Sequence, residues 1–314
     1  MLYVTTRDHK DAYTVHKTYL SDTAADGGVF VPFRLPVYSQ EDIGDLVSKG
    51  ANEIIADVLN RFFGTKLTPW AVDLAIGRNT LKLYSLSQKI LIAEPWHNPT
   101  ENYTFAQQNL YKLLSDAKDI SIHPTRWVKI AIKIAFIFAV YGSLRSTDMI
   151  EQDASFDIAV NTTDFVDPIA AWYAKEMGLP INTILCSCTG DDAVWDLIHR
   201  GQISTNSIGD ALNQGVEQLV YAAYGLGESI RYVNASASKK TFTLDFEILK
   251  PLSDTFFCAM MSQNRADTVS NSVVRTDSYQ LCSTGALAYG AVQDYRAKTG
   301  ENKVTLLFSN QSAK

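Results

Sequence analysis

The stretch from Asp157 to Gly201 leaves this chain the least freedom. Asp157-Ile158-Ala159-Val160 reads as a strand, and Asp167 to Met177 as a helix with Pro168 in its first turn and Gly178 as its stop. Thr183-Ile184-Leu185-Cys186 reads as a second strand, and Asp191 to His199 as a second helix ended by Gly201. Proline is pre-set for a first helical turn and glycine for the left-handed residue beyond the last. A strand–helix–strand–helix run of this kind makes the two strands parallel. The expected fold is α/β, a mostly parallel sheet flanked by helices. Ligands of such sheets sit beyond the carboxyl ends of the strands, here Asn161-Thr162-Thr163-Asp164 and Ser187-Cys188-Thr189-Gly190-Asp191-Asp192.

Other elements follow from the same patterns. Val29-Phe30-Val31 is a short strand that Pro32 ends at an edge. Ser39 to Thr65 carries a helical apolar stripe, Thr68-Pro69 opens a second short helix, and Lys89 to Trp96 alternates as a strand. Thr104 to Leu114, Asp210 to Tyr232, Leu244 to Ser262 and Ser283 to Lys298 read as helices, and Val304 to Ser309 as a final buried strand. Pro124 opens a long helix to about Leu144. Its apolar run from Ile130 is interrupted by Lys133 and falls short of the ~20 residues that span a bilayer, so it reads as a core helix.

The 314 residues suffice for a sizeable core without staples, and the net charge of -6 argues against nucleic acid or an anionic membrane as the main partner. Four scattered cysteines make neither a disulfide framework nor a zinc ribbon. With no basic and apolar leader at the N-terminus, a cytoplasmic location is the expectation.

Few residues offer chemistry outright. His97-Asn98-Pro99-Thr100 follows a strand directly, as a ligand-pocket loop would, or as an ordinary hydrogen-bonded one. Cys186 and Cys188 share a strand face but lack further soft ligands, which favours small buried hydrophobes. Asp164, Asp167, Asp191 and Asp192 gather at the two strand ends. They read as helix caps or as a cation or amine site; in both cases a phosphate is repelled. There is no P-loop and no G-x-G-x-x-G in a strand-to-helix context.

Five segments, in order, resemble threonine synthase, a pyridoxal-phosphate (PLP) enzyme of the tryptophan-synthase-β type, fold type II. Asp26-Gly27-Gly28-Val29-Phe30-Val31-Pro32 is similar to the family's "DGGLYVP", and Glu94-Pro95-Trp96-His97-Asn98-Pro99-Thr100 to its "ELFHGPT". Ser121 to Arg126 resembles "SINxxR", and Phe156 to Pro180 resembles the stretch around "GNFGDxxAGYYAKKMGLP". Gly285 to Gly290 and Leu307 to Lys314 resemble the family's C-terminal region. The resemblance implies an N-terminal region over 1–88 and a large α/β domain over 89–314, with a deletion near 105–120 where most of the family's small domain is expected.

The departures carry as much weight. The family's Schiff-base lysine position, counted from His97, is Thr104; its phosphate-binding "GNFG" falls on Thr163-Asp164-Phe165-Val166; its threonine beside the pyridine nitrogen falls on Gly285. Lys112, about two turns beyond Thr104, is a candidate substitute. The resemblance with these changes implies a catalytically inactive, PLP-free relative that binds a partner or a small metabolite, leaning away from an enzyme. The alternatives are an active PLP-dependent threonine synthase, which would release phosphate from O-phosphohomoserine, and a repurposed enzyme without PLP. The candidate cleft comprises His97, Asn98, Thr100, Thr104, Thr163, Asp164, Asp191, Asp192 and Gly285, with no cofactor-binding residue and no metal. A surface left by a missing domain, with Trp96, Tyr103, Phe105, Trp172 and Trp195 as its lining, implies a homo-oligomer or a protein partner.

Overall fold

The computed structural model describes residues 1–77, 81–94, 103–118, 124–152, 154–189, 193–205 and 209–309. They form two compact units, Met1–Leu83 with Ala93–Ala154 and Ala170–Pro180, and Tyr84–Ile92 with Ser155–Ile169 and Ile181–Lys314.

The first unit begins with β1 (Leu2–Thr5), β2 (Tyr13–Thr14), α1 (Val15–Leu20) and β3 (Phe30–Pro32). The three strands form an antiparallel sheet in the order β2-β1-β3, so Pro32 lies on an edge strand as expected. Then come α2 (Gln40–Val47), α3 (Ala51–Phe63) and α4 (Pro69–Ile76). The single helix expected over Ser39–Thr65 is therefore two. Ser39 closes a capping box with Asp42 at the start of α2, and Gly50 interrupts the stripe as the N-cap of α3. β4 (Lys82–Leu86) and β5 (Ile90–Glu94), most of whose residues belong to the second unit, precede α5 (Tyr103–Lys118) and α6 (Arg126–Ser146) of the first. The apolar stretch of α6 is 89% buried within the fold, which makes it a core helix.

The second unit is built on β6 (Phe156–Asn161), the start of α7 (Val166–Glu176, which passes into the first unit at Ala170), β7 (Ile181–Cys188), α8 (Ala193–Arg200), β8 (Gln202–Ser204), α9 (Asp210–Tyr224), α10 (Leu226–Ala237), β9 (Thr241–Thr243), α11 (Phe246–Thr255), β10 (Phe256–Met260), α12 (Gln263–Asp277), α13 (Ser283–Thr299) and β11 (Thr305–Phe308). The sheet order is β10-β7-β6-β11-β5-β4, and β10, β7, β6 and β11 are parallel. The strand–helix–strand–helix reading of β6 to α8 holds. The helix expected over Leu244–Ser262 does not: α11 ends at Thr255 and Phe-Phe-Cys-Ala-Met continues as β10. A short unbroken apolar run is ambiguous between a buried helix and a sheet strand flanked by helices, and sheet pairing with β7 decides it. Likewise Asp210–Tyr232 is divided between α9 and α10 at Gly225, whose φ of +80° suits glycine alone.

Candidate functional site

The carboxyl ends of β6, β7 and β11 and the N-terminus of α13 gather a polar cluster. Ser187 Oγ donates to Asn161 Oδ1 at 2.5 Å, and Asn161 Nδ2 donates to the Thr284 carbonyl at 3.2 Å. Thr162 Oγ1 donates to the Ser187 carbonyl at 3.0 Å. Cys282 caps α13, accepting from the Gly285 N–H at 3.4 Å, with Thr284 Oγ1 and Ser309 Oγ each 3.3 Å from its sulfur. Gly285 is buried, and a Cβ there would collide with Ser309 Oγ and Cβ. Asn161 and Ser187 lie at the strand ends where the sequence places a ligand but were not in the candidate cleft, and Cys282 and Ser309 were not assigned to it either, since only the sheet order brings them together.

Thr163 and Asp164 lie exposed between β6 and α7. Asp164 Oδ1 accepts from the N–H of Val166, the first residue of α7, at 3.1 Å. The carboxylate thus takes one of the four N–H groups that a helix N-terminus offers an anion. Phe165 follows it with φ +59°, buried and left-handed, a backbone that a bulky residue adopts only under constraint. Thr104 sits in the first turn of α5 and brings no amine; Lys112, farther along α5, is exposed. His97, Asn98, Thr100, Asp191 and Asp192 lie outside the described residues, as does Trp96.

Two further groups were only partly legible. Cys258 of β10 stands in register with Cys186 of β7, so Cys186, Cys188 and Cys258 are three buried free thiols, and burial pushes Cys186 up. Glu94, Arg126 and Lys133 are buried charged residues of the first unit. Trp172 is buried too, which removes it from the expected surface; Trp195 is half-buried and stacks on His199 at 4.3 Å.

The PLP-bound threonine synthase of Brucella melitensis has this fold, with a TM-score of 0.78 at 17% identity over 99% of this chain and 89% of that one. Yeast threonine synthase gives 0.77 at 13% over 99% and 87%. The fold is therefore the one these threonine synthases share. Residues 2–78 match the family described as the threonine synthase N terminus. The threonine synthase-like 1 proteins of Pongo abelii and Homo sapiens are 22% identical over 188 and 199 residues, covering 56% and 60% of this chain and 25% and 26% of those proteins. The chain spans about a quarter of the length of these curated relatives. The N-terminal residues 2–78 are thus similar to the threonine synthase N terminus, and the whole chain shares the threonine synthase fold.

Proposed function

We propose that this threonine-synthase-like protein works without PLP, by binding a partner or a small metabolite and not by releasing phosphate from O-phosphohomoserine. One observation carries the reading: the Asp164 carboxylate already occupies the Val166 N–H at the head of α7. That turn matches the family's phosphate loop. Both of the loop's glycines are replaced here, so the backbone is screened by side chains, and a carboxylate beside a phosphate dianion is repulsive. Two further features agree with it. Thr104 cannot form an imine, and Ser309 fills the space beside Gly285 where the family carries a side chain toward the pyridine nitrogen. These residues fit PLP poorly.

The test is direct. Purified protein mixed with PLP, followed by absorbance, reduced with borohydride and weighed intact and as peptides, is expected to carry no stoichiometric lysine adduct. It is also expected to make no threonine from O-phosphohomoserine. A single adduct, on Lys112, Lys133 or another lysine, together with threonine formation, would overturn the reading.

A further inference from the structure

A cavity of about 160 Å³ opens between α2, α6 and the turn that joins α7 to β7, and the residues lining it all come from the first unit. Its walls are fixed. The Ser39–Asp42 capping box anchors α2, and α6 is the core helix. The turn is held where the Tyr38 N–H meets the Met177 carbonyl at 2.8 Å. A cavity with such walls is formed before any ligand arrives.

Its two sides differ in chemistry. Ile43 and Val47 of α2 and the buried ring of Tyr141 make one side apolar. Arg145, half-buried in the last turn of α6, brings a positive charge. Its Nη1 donates to the Ile150 carbonyl at 2.7 Å, which pins the guanidinium to the loop after the helix. That staple uses one nitrogen of a planar fork with several N–H donors. Arg145 has no ion-pair partner among the described residues, and no acidic side chain lines the cavity. Gln40 and Gln152 line it too, and each brings an amide that can donate or accept.

Glycines keep the space open. Gly178 is required by its own backbone and by the nearby Tyr38 carbonyl. Gly44 is not required by anything in the fold. It lies inside α2 without a positive φ, and a Cβ there would meet nothing within 4 Å. A glycine inside a helix costs stability relative to alanine. What it provides here is bare α2 backbone on the cavity wall, open to close approach by a ligand.

Size and charge select that ligand. The volume is well below the ~300 Å³ at which drug-sized pockets begin, which leaves out nucleotides and large cofactors. A carboxylate matches one guanidinium in charge and geometry. A phosphate dianion would keep an unneutralised charge beside the apolar wall, and a free amino acid would bring an ammonium with no carboxylate to meet it. We propose that this cavity binds a small aliphatic monocarboxylate, its carboxylate held by the Arg145 fork and its hydrocarbon chain packed on Ile43, Val47 and Tyr141. None of these residues belongs to the candidate cleft. A PLP adduct would leave the proposal standing, and its failure would leave the cofactor reading untouched.

Calorimetric titration of the full chain uses propionate, butyrate, isovalerate and isocaproate, with butyramide, inorganic phosphate and valine as comparisons. At least one carboxylate is expected to saturate a single site with a Kd below about 1 mM, and to bind at least about tenfold more tightly than the three comparisons. Gly44→Leu puts a side chain into the cavity without touching Arg145, and Arg145→Lys keeps the charge but loses the fork. Each should weaken carboxylate binding at least about tenfold. Thermal unfolding shows whether the variants fold, and Gly44→Leu with the butyramide comparison decides the matter if Arg145→Lys does not. No saturable carboxylate binding, binding that Gly44→Leu leaves unchanged, or equal affinity for butyramide overturns the proposal. So does tighter binding of phosphate or valine, or carboxylate binding unchanged in a folded Arg145→Lys variant.

Discussion

Trp127→Ala is expected to lower the unfolding free energy by about 4 kcal/mol, within the range for deleting a buried aromatic ring. The ring is 2% exposed, in the first turn of α6. It meets Tyr3, Phe62 and Tyr173 edge-on at centroid distances of 5.6, 5.4 and 5.9 Å. Its Nε1 donates to Tyr3 Oη at 3.1 Å, and that hydroxyl donates to the Phe62 carbonyl at 2.8 Å. Truncation therefore opens a cavity and strips a buried phenol of a donor, while Tyr3→Phe alone should cost only about 1 kcal/mol. Urea titrations of both variants and of the double variant measure the two costs and their coupling. A Trp127→Ala cost under about 1.5 kcal/mol would mean that this ring does not tie β1 and α3 to α6.

Gly178→Ala should cost about 3 kcal/mol. The residue follows α7 with φ +118°, a backbone unsuited to L side chains, and a Cβ would stand 2.5 Å from the Tyr38 carbonyl oxygen. Neither side can retreat, because Tyr38 N–H is bonded to the Met177 carbonyl at 2.8 Å. Gly44→Ala is the matched control. It lies within α2 with nothing within 4 Å of a new Cβ, and should stabilise by about 0.5–1 kcal/mol. Equal midpoints for the two variants would refute the steric argument.

The parts of the fold that were legible are those punctuated locally. β6, α7, β7 and α8 were readable because Pro168, Gly178 and Gly201 bound them and their strands are short apolar runs. β10 was not, since Phe256 to Met260 follows α11 with no breaker between them and carries no strand-like alternation. At the candidate site, the resemblance picked out Thr163, Asp164 and Gly285, and one of the sequence's two readings of Asp164, a helix cap, is what the structure shows. The packing of Ser309 on Gly285, 24 residues apart, depends on β11 lying beside β6, which no local pattern encodes.

That placement has a consequence for synthesis. β11 follows every other described strand in chain order, yet it lies between β6 and β5 in the interior of the sheet. The ribosome adds about 5–20 residues per second, so on the order of ten seconds or more separates β6 from the neighbour that completes it. Throughout that interval the nascent chain carries an unfilled slot bordered by apolar strands. A message cut short before Thr305 would leave the slot open for good, and quality control would meet two half-sheets where the finished chain has one.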